Sequence, residues 1–381
     1  MQNTKFFSKF IVIGVLLLAI MSFNWDRIEL EGRAFAITIG IDAAEGDEAF
    51  EVSMSIADVA AMEGQGNSDD AATLRIACGE SLARAMGQID AKISGKVYYG
   101  HTKAVVLGES VLADENLLRE VVDTLSRKND INIKCIVMAT DASAKDILEA
   151  KPQEQSLLGL YLSGFYNNNN ANTAASVVKL DLEGLVTSLQ NDHSAVIPKI
   201  TLDGEGEEAE VTISGVAIVR DFTLADYIPE DDMAGFLWLM ENSAGAQIAI
   251  DEGDGHITFL VQKSKVRLGF EEAGGQLHCT ARLHAEGSIE GARFMDDYFF
   301  DYQTMQKLQE EFAQKIRDEI EEVFGIFQHD FGVDGFGLKE LMRKKYPRLY
   351  EVYGTDWRNT FENMVLVADV DVLIRNTGSI K

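Results

Sequence analysis

The sequence is poor in cysteine, proline and positive charge. Only three cysteines occur in 381 residues, Cys78, Cys135 and Cys279, and none belongs to a CxxC pair. That spacing excludes a zinc ribbon and a disulfide-stapled scaffold. Each thiol is expected to act as a small buried apolar residue. Four prolines leave no proline-rich linker. Lys and Arg number 34 against 62 Asp and Glu, a net charge of −28. A nucleic-acid interface needs a basic surface to displace condensed counterions, so nucleic acid is not an expected partner. The same charge predicts repulsion from anionic lipid away from any anchor. Beyond about residue 26 no run of 18 apolar residues occurs, which excludes a polytopic membrane protein. The signatures GxSxG, HExxH, GxGxxG and GxxxxGK[ST] are also missing.

What is present reads as folded protein. The apolar fraction is 46% and the charged fraction 25%, and the length suits two or three domains. At the N-terminus, Lys5 and Lys9 precede an apolar run from Phe10 to Met21. A basic stretch before a short apolar run is the pattern of an export signal. No A-x-A cleavage pattern follows it. The expectation is an uncleaved anchor over 1–24, with Trp25 at the interface and everything beyond exported.

Along the chain, Ala34–Ile41 and Ala49–Ala57 are expected strands, the second alternating Phe50, Val52, Met54 and Ile56. Asp69–Ile89 is expected as one helix, from a stripe of Leu74, Cys78, Leu82, Ala85, Met86 and Ile89. Strands at Lys103–Leu107 and Ile131–Ala139 interleave with helices near Asn116–Ser126, Ser143–Ala150, Gln153–Phe165 and Ala174–Leu189. The acidic glycine stretch Asp203–Glu210 is the clearest expected domain boundary. Strands over Val211–Arg220, Ala246–Ile250 and Ile257–Val261 frame a short helix after Pro229, whose first turn is acidic. Longer strands at Val266–Phe270 and Leu277–Ile289 lead to the longest helix, Tyr302–Phe324, and then to a closing strand, Val365–Ile374. The fold class is α+β: a multi-domain ectodomain of mixed sheets with packed helices, behind an N-terminal membrane or signal segment. The expected divisions are 1–24 for the anchor, 25–205 for an N-terminal α/β-type domain, 206–262 for a small middle domain, and 263–381 for a C-terminal α+β domain with the long helix 302–324.

Chemistry-bearing constellations are sparse. His278-Cys279 with His284 is the one histidine cluster, but six residues of strand separate the imidazoles by about 20 Å. No metal site is expected there. Asp330–Gly335 resembles a calcium loop, yet position 3 is Gly332 and position 12 is Leu341, so the ligand pattern fails. Carboxylate pairs carry little information in so acidic a chain. Tyr98–Glu109 (YYGHTKAVVLGE) concentrates unusual residues, with His101 readable as a proton carrier or as part of a structural turn; without a nucleophile nearby, the turn is the better reading. No catalytic residue, cofactor or metal ligand is expected.

Several stretches together resemble one family, the C subunits of bacterial spore nutrient-germinant receptors, called Ger(x)C or GerAC-like. Trp25-Asp26-Arg27-Ile28-Glu29-Leu30 is similar to the family's CWDRREL start. Tyr99, Gly100, His101, Lys103 and Gly108 fall in a stretch similar to its LYFGHLKVIVIGE segment. Gly215–Val219 resembles the strand that opens its C-terminal region. Asp334, Gly335, Phe336 and Gly337, then Tyr346-Pro347, Trp357, and Ile374-Arg375-Asn376-Thr377-Gly378 follow in the family's order. The resemblance spans nearly the whole chain. It implies a three-domain α+β ectodomain on the outer face of the spore inner membrane. It implies assembly with A-type and B-type polytopic receptor subunits, a role in nutrient-triggered germination, and no enzymatic activity. It does not say whether this subunit touches the nutrient. One departure stands out: the family's lipobox cysteine position is Asn24, so no thiol is available for lipidation and the uncleaved segment becomes the expected anchor. The rival readings are a cell-envelope hydrolase using a carboxylate pair and a solute-binding envelope protein. Close carboxyl pairs in a deep cleft would favour the hydrolase; an apolar surface without one would favour the receptor subunit.

Overall fold

The computed structural model describes residues 33–57, 72–150, 157–167, 178–204, 210–240, 243–252, 255–293 and 302–376. The expected anchor over 1–24, with Asn24, and Trp25, Asp26, Arg27 and Gly378 lie outside the described residues. The architecture is α+β, with two mixed sheets. The first sheet has nine strands: β1 (Arg33–Ala43), β2 (Phe50–Ala57), β3 (Ala72–Gly79), β4 (Lys96–Tyr98), β5 (Ala104–Gly108), β6 (Ile136–Thr140), β7 (Ser194–Asp203), β8 (Glu210–Arg220) and β9 (Thr223–Pro229). Their order is β3-β2-β1-β5-β6-β7-β8-β9, with β4 beside the start of β1. The centre, β1-β5-β6-β7, is parallel and both flanks are antiparallel.

Helices cover both faces of that centre. Every residue of β5 and β6 is buried. Val105 and Leu107 pack with α1 (Leu82–Asp90), α3 (Glu115–Arg127) and α6 (Leu182–Asp192); a short α2 (Glu109–Leu112) precedes α3. Ala104 and Val106 pack on the other face with α4 (Ala144–Glu149) and α5 (Leu158–Asn167). A strand buried on both faces needs apolar residues in succession, which is why this part of the sequence runs rather than alternates.

One expectation changes here. Asp69–Ile89 is not one helix: its described part opens with strand β3, and the helix begins only at Leu82. Thr73 and Ile76 are β-branched, and β3 pairs as an edge along all of β2. Ser81 then caps α1, its hydroxyl accepting the Arg84 N–H. On either side of the acidic stretch, Asp203 pairs with Glu210, so β7 and β8 are neighbours in one sheet. Strands β8 and β9 extend the first sheet, and the strands after residue 246 belong to the second.

The second sheet is β10-β11-β12-β13: Gln247–Glu252, Gly255–Ala273, Gln276–Arg293 and Val365–Asn376. The long β11–β12 hairpin turns at Gly274-Gly275, both at positive φ (63° and 83°). A two-residue turn with positive φ at both positions matches the right-handed strand twist, and glycine adopts it without strain. One face of this sheet packs on α8 (Tyr302–Gly325), where Leu308, Phe312, Ile316, Ile320 and Phe324 are all buried. Phe312 stacks against Phe259 of β11 at 5.2 Å. Helix α7 (Ala234–Leu239) packs on α8 and gives its Trp238 Nε1–H to Glu319 at 2.8 Å. A wide turn (Ile326–Phe331) and three short helices follow: α9 (Leu338–Lys345), α10 (Pro347–Tyr353) and α11 (Trp357–Glu362). The other face of the second sheet is exposed and polar.

Candidate interaction site

The family-like residues fall into three places. The first is the turn before β5. Tyr99 is buried and donates its hydroxyl proton to Asp90 at 2.7 Å, while the Lys128 ammonium sits 3.8 Å from its ring centre. Thr102 donates to the Ala36 carbonyl, and the Lys103 N–H to that of Ile37. A side chain at Gly108 would stand 1.9 Å from Asp42 Oδ1. That carboxylate accepts the N–H groups of Ala144 and Lys145 at the start of α4. Gly108 therefore leaves room for the Asp42 clamp. His101 is exposed against Phe35 and Tyr98, at 5.3 and 5.5 Å, and Gly100 runs close under the Tyr98 ring. The segment is a structural turn with an aromatic surface.

The second place is Arg375, on the outer face of the second sheet. It binds Glu286 through Nε and Nη2, both at 3.1 Å. The Arg375 guanidinium, with His284, holds the Glu286 carboxyl down to about 2. His284 is 20 Å or so from His278 along the strand, and it meets carboxylates: Asp371 at 2.7 Å and Glu286 at 3.0 Å.

The third place brings the most together. Asp334 accepts the N–H groups of Phe336, Leu338 and Lys339 at 3.2, 3.1 and 2.8 Å, capping α9, and also the indole N–H of Trp357 at 3.1 Å. Burial pushes the Asp334 carboxyl up while these backbone donors pull it down; burial is the larger effect. Gly337, at φ 68°, supplies the left-handed residue that lets the loop turn into α9. A side chain at Gly335 would meet the Phe327 ring at 2.4 Å. Phe336 fills the aromatic cluster of Phe236, Phe324 and Phe327, at 5.1, 5.5 and 5.0 Å. Pro347 opens α10, and Tyr346 before it packs edge-on to Phe270 of β11 at 5.4 Å. Thus Gly335, Phe336, Gly337, Tyr346, Pro347 and Trp357 build one corner.

That corner joins the two sheets. Lys339 pairs with Asp192 at 2.6 Å, Arg358 with Asp221 at 2.9 Å, and Arg220 donates to the Phe331 carbonyl at 3.0 Å. Two hollows flank α9. One, of about 920 Å³, lies between α9 and the end of α6. The other, of about 870 Å³, lies between α9 and β11–β12. Their acids are engaged: Asp192 by Lys339, Asp334 by four N–H groups, and Glu340 by Arg343 and Lys344, which hold it down to about 2. Glu271, four residues along β11 from Arg267, is the remaining acid lining the second hollow. Among the described residues no group of three His, Cys, Asp or Glu is placed to hold a metal, and no helix is long and apolar enough to cross a membrane.

The sequence reading missed the charge of this corner. Lys339, Arg343, Lys344, Lys345 and Arg348 put five cations into ten residues of a strongly acidic chain. That density was the available signal.

Known proteins resolve the family. The model of the spore germination protein N-terminal domain matches residues 26–202, and that of the spore germination B3/GerAC-like C-terminal region matches residues 214–378. The chain belongs to the GerAC-like family of spore germination proteins. Its role therefore lies in spore germination. It is 20% identical to spore germination protein B3 of Bacillus subtilis over 98% of each chain. It is 21% identical to spore germination protein KC of the same organism, over 96% of this chain and 95% of the relative. The crystal structure of the GerBC protein matches with a TM-score of 0.60 and 17% identity, covering 89% of this chain and 97% of that one. The α+β architecture is shared along nearly the full length.

Proposed function

We propose that the protein is a non-enzymatic, membrane-tethered subunit of a nutrient germinant receptor. It works by assembling with the polytopic A-type and B-type subunits on the outer face of the spore inner membrane. The match of both GerAC-like regions in register, behind a basic-then-apolar N-terminal segment, carries this reading. The segment 1–24 is the tether, because Asn24 offers no thiol for a lipid. Packing the ectodomain on its partners would shift their conformational equilibrium through differential contacts. The engagement of the acids favours assembly over hydrolysis: a general acid must be free to pass its proton to substrate, whereas Glu340 is held low by two cations and Asp334, though raised by burial, is locked by four donors.

The test is affinity purification of the tagged chain from gently solubilised spore membranes, with partners identified by mass spectrometry. Recovery of polytopic receptor subunits is expected. A membrane-bound chain that brings down none would sink the assembly reading. A mature N-terminus at or after residue 22 in the membrane fraction would sink the tether.

A further inference from the structure

The hollow between α9 and β11–β12 is amphipathic. Leu268, Leu341 and Tyr346 line it half-buried, backed by the buried Leu239, Phe270 and Phe336, with Met240 at the lip and 44% exposed. Arg267, Arg282, Lys344 and Lys345 surround it, against two acids, Glu271 and Glu340. Glu340 is already neutralised by Arg343 and Lys344. Arg267 and Arg282 are direct cross-strand partners. Like charges in that position repel and weaken the sheet. Their sole acidic relief is Asp369, 4.0 Å from Arg282; among the described residues neither Arg267 nor Lys345 has an ion-pair partner. Local cationic excess at an apolar trough, in a chain of net charge −28, is a surface arranged for something absent from the monomer.

The shape narrows what that is. The hollow is an open trough along Val266–Glu271, about 17 Å of strand, which matches roughly three turns of helix. A flat lipid surface does not reach apolar wall recessed between a strand and a helix. A second copy of so acidic a chain is repelled overall. Charge complementarity selects an acidic segment with apolar anchors, the helix-in-groove mode of recognition. We propose that this trough docks an acidic, apolar-anchored peptide segment of a partner protein, with Arg267 and Arg282 reading its carboxylates. The proposal rests on the assembly reading above and names the surface that serves it.

The experiment uses the full chain in neutral detergent and a fluorescent twelve-residue peptide, with leucines at helical i, i+3, i+4 and i+7 spacing and glutamates between. The acidic peptide is expected to bind, and to weaken steeply as salt rises. Its lysine counterpart should not bind. Arg267→Glu with Arg282→Glu should weaken binding at least tenfold, and so should Lys345→Glu, placed on the helix side in case the strand variant folds poorly. Lys92→Glu, distant in the turn after α1, should leave binding unchanged. Arg267→Thr supplies an independent readout: it should weaken the peptide while the melting temperature of the unbound protein holds or rises. Equal binding of the lysine peptide, or binding indifferent to both reversals, would overturn the proposal. So would capture by phosphatidylglycerol vesicles but not by the peptide, or a dimer lost on charge reversal. In spores, tagged wild type and the Arg267→Glu, Arg282→Glu variant separate the two claims. If neither recovers membrane subunits, the assembly reading fails. If both recover them equally, assembly stands and the trough is not its contact.

Discussion

The two sheets bury their strands differently. In the first, β5 and β6 are buried at every position, because α1, α3 and α6 lie on one face and α4 and α5 on the other. In the second, β12 alternates: Leu277, Cys279, Ala281, Leu283 and Ala285 face α8, while His278, Thr280, Arg282, His284 and Glu286 face away. Full burial leaves the first sheet's centre no surface for recognition. One-sided burial lets the second sheet display charge beside apolar wall, and the trough next to α9 uses that.

The sharpest way to break this contrast is one substitution made twice. Val106→Asp places a carboxylate between β5 and the helices packed on it, where Val106 is 0% exposed. Burying an unpaired charge should cost on the order of 4 kcal/mol or more. Val367→Asp puts the same residue on the outer face of β13, where Val367 is 43% exposed, and should cost less than about 1 kcal/mol. Denaturant unfolding measures both. Similar losses would show that the outer face is covered after all.

A middle-sized effect compares two clamps. Asp334 ties the loop before α9 to Trp357 with four accepted N–H groups; Asp42 ties α4 to β1 with two. Asp334→Ala should cost about 2 kcal/mol through the lost cap and the stranded donors, and Asp42→Ala somewhat less. The first change should also loosen α9, read as faster amide exchange over 338–345. Unchanged exchange there would mean that packing of Phe336, not the carboxylate, sets the corner.

The same contrast explains what could be read in advance. The four-residue period of Leu308–Phe324 maps onto α8, because one-sided burial writes its period into the sequence; the alternation in Phe50–Ile56 maps onto β2, although Ser53 and Ser55 between the apolar positions are buried too. Ala72–Gly79 misled because a strand at the sheet's edge, with Leu74 and Cys78 spaced four apart, also satisfies a helical stripe. Pairing with β2 decided the matter, and pairing is not local. At the candidate corner, Gly335, Phe336, Gly337 and Trp357 were visible as a pattern. Asp334 belonged to that pattern too, but its work as acceptor for Phe336, Leu338, Lys339 and Trp357 was not legible, since such a carboxylate reads as one acid among 62.

The cysteines divide by burial in both sheets. Burial pushes the thiols of Cys135, beside β6, and Cys279, in β12, up to about 12. Cys78, in the edge strand β3, is partly exposed, its pKa raised by desolvation and the nearby Glu51. A thiol-alkylating reagent on the native protein should modify Cys78 slowly and first, with Cys135 and Cys279 reacting only after denaturation. Peptide mass mapping reads the order. Early labelling of Cys279 would mean that α8 lifts from the second sheet more readily than a packed core allows.

The smallest effect belongs to the exposed face. Hydrogen bonds to Glu286, and then to Asp371, raise the His284 pKa above its ordinary value. A histidine raised in the folded state contributes stability that is whole below its unfolded pKa of about 6.5 and is lost as pH climbs through the folded value. With its side chain 44% exposed, solvent screening keeps the contribution under about 0.5 kcal/mol. His284→Gln should therefore lower the melting temperature slightly at about pH 5.5 and leave it unchanged at about pH 8.5. The salt bridge from Arg375 keeps Glu286 ionised across that range, so the slope reports the imidazole alone. Titration of the ring protons by NMR fixes the midpoint. A midpoint at or below the ordinary histidine value would mean that this face, unlike the interior of the first sheet, does not hold its side chains in place at all.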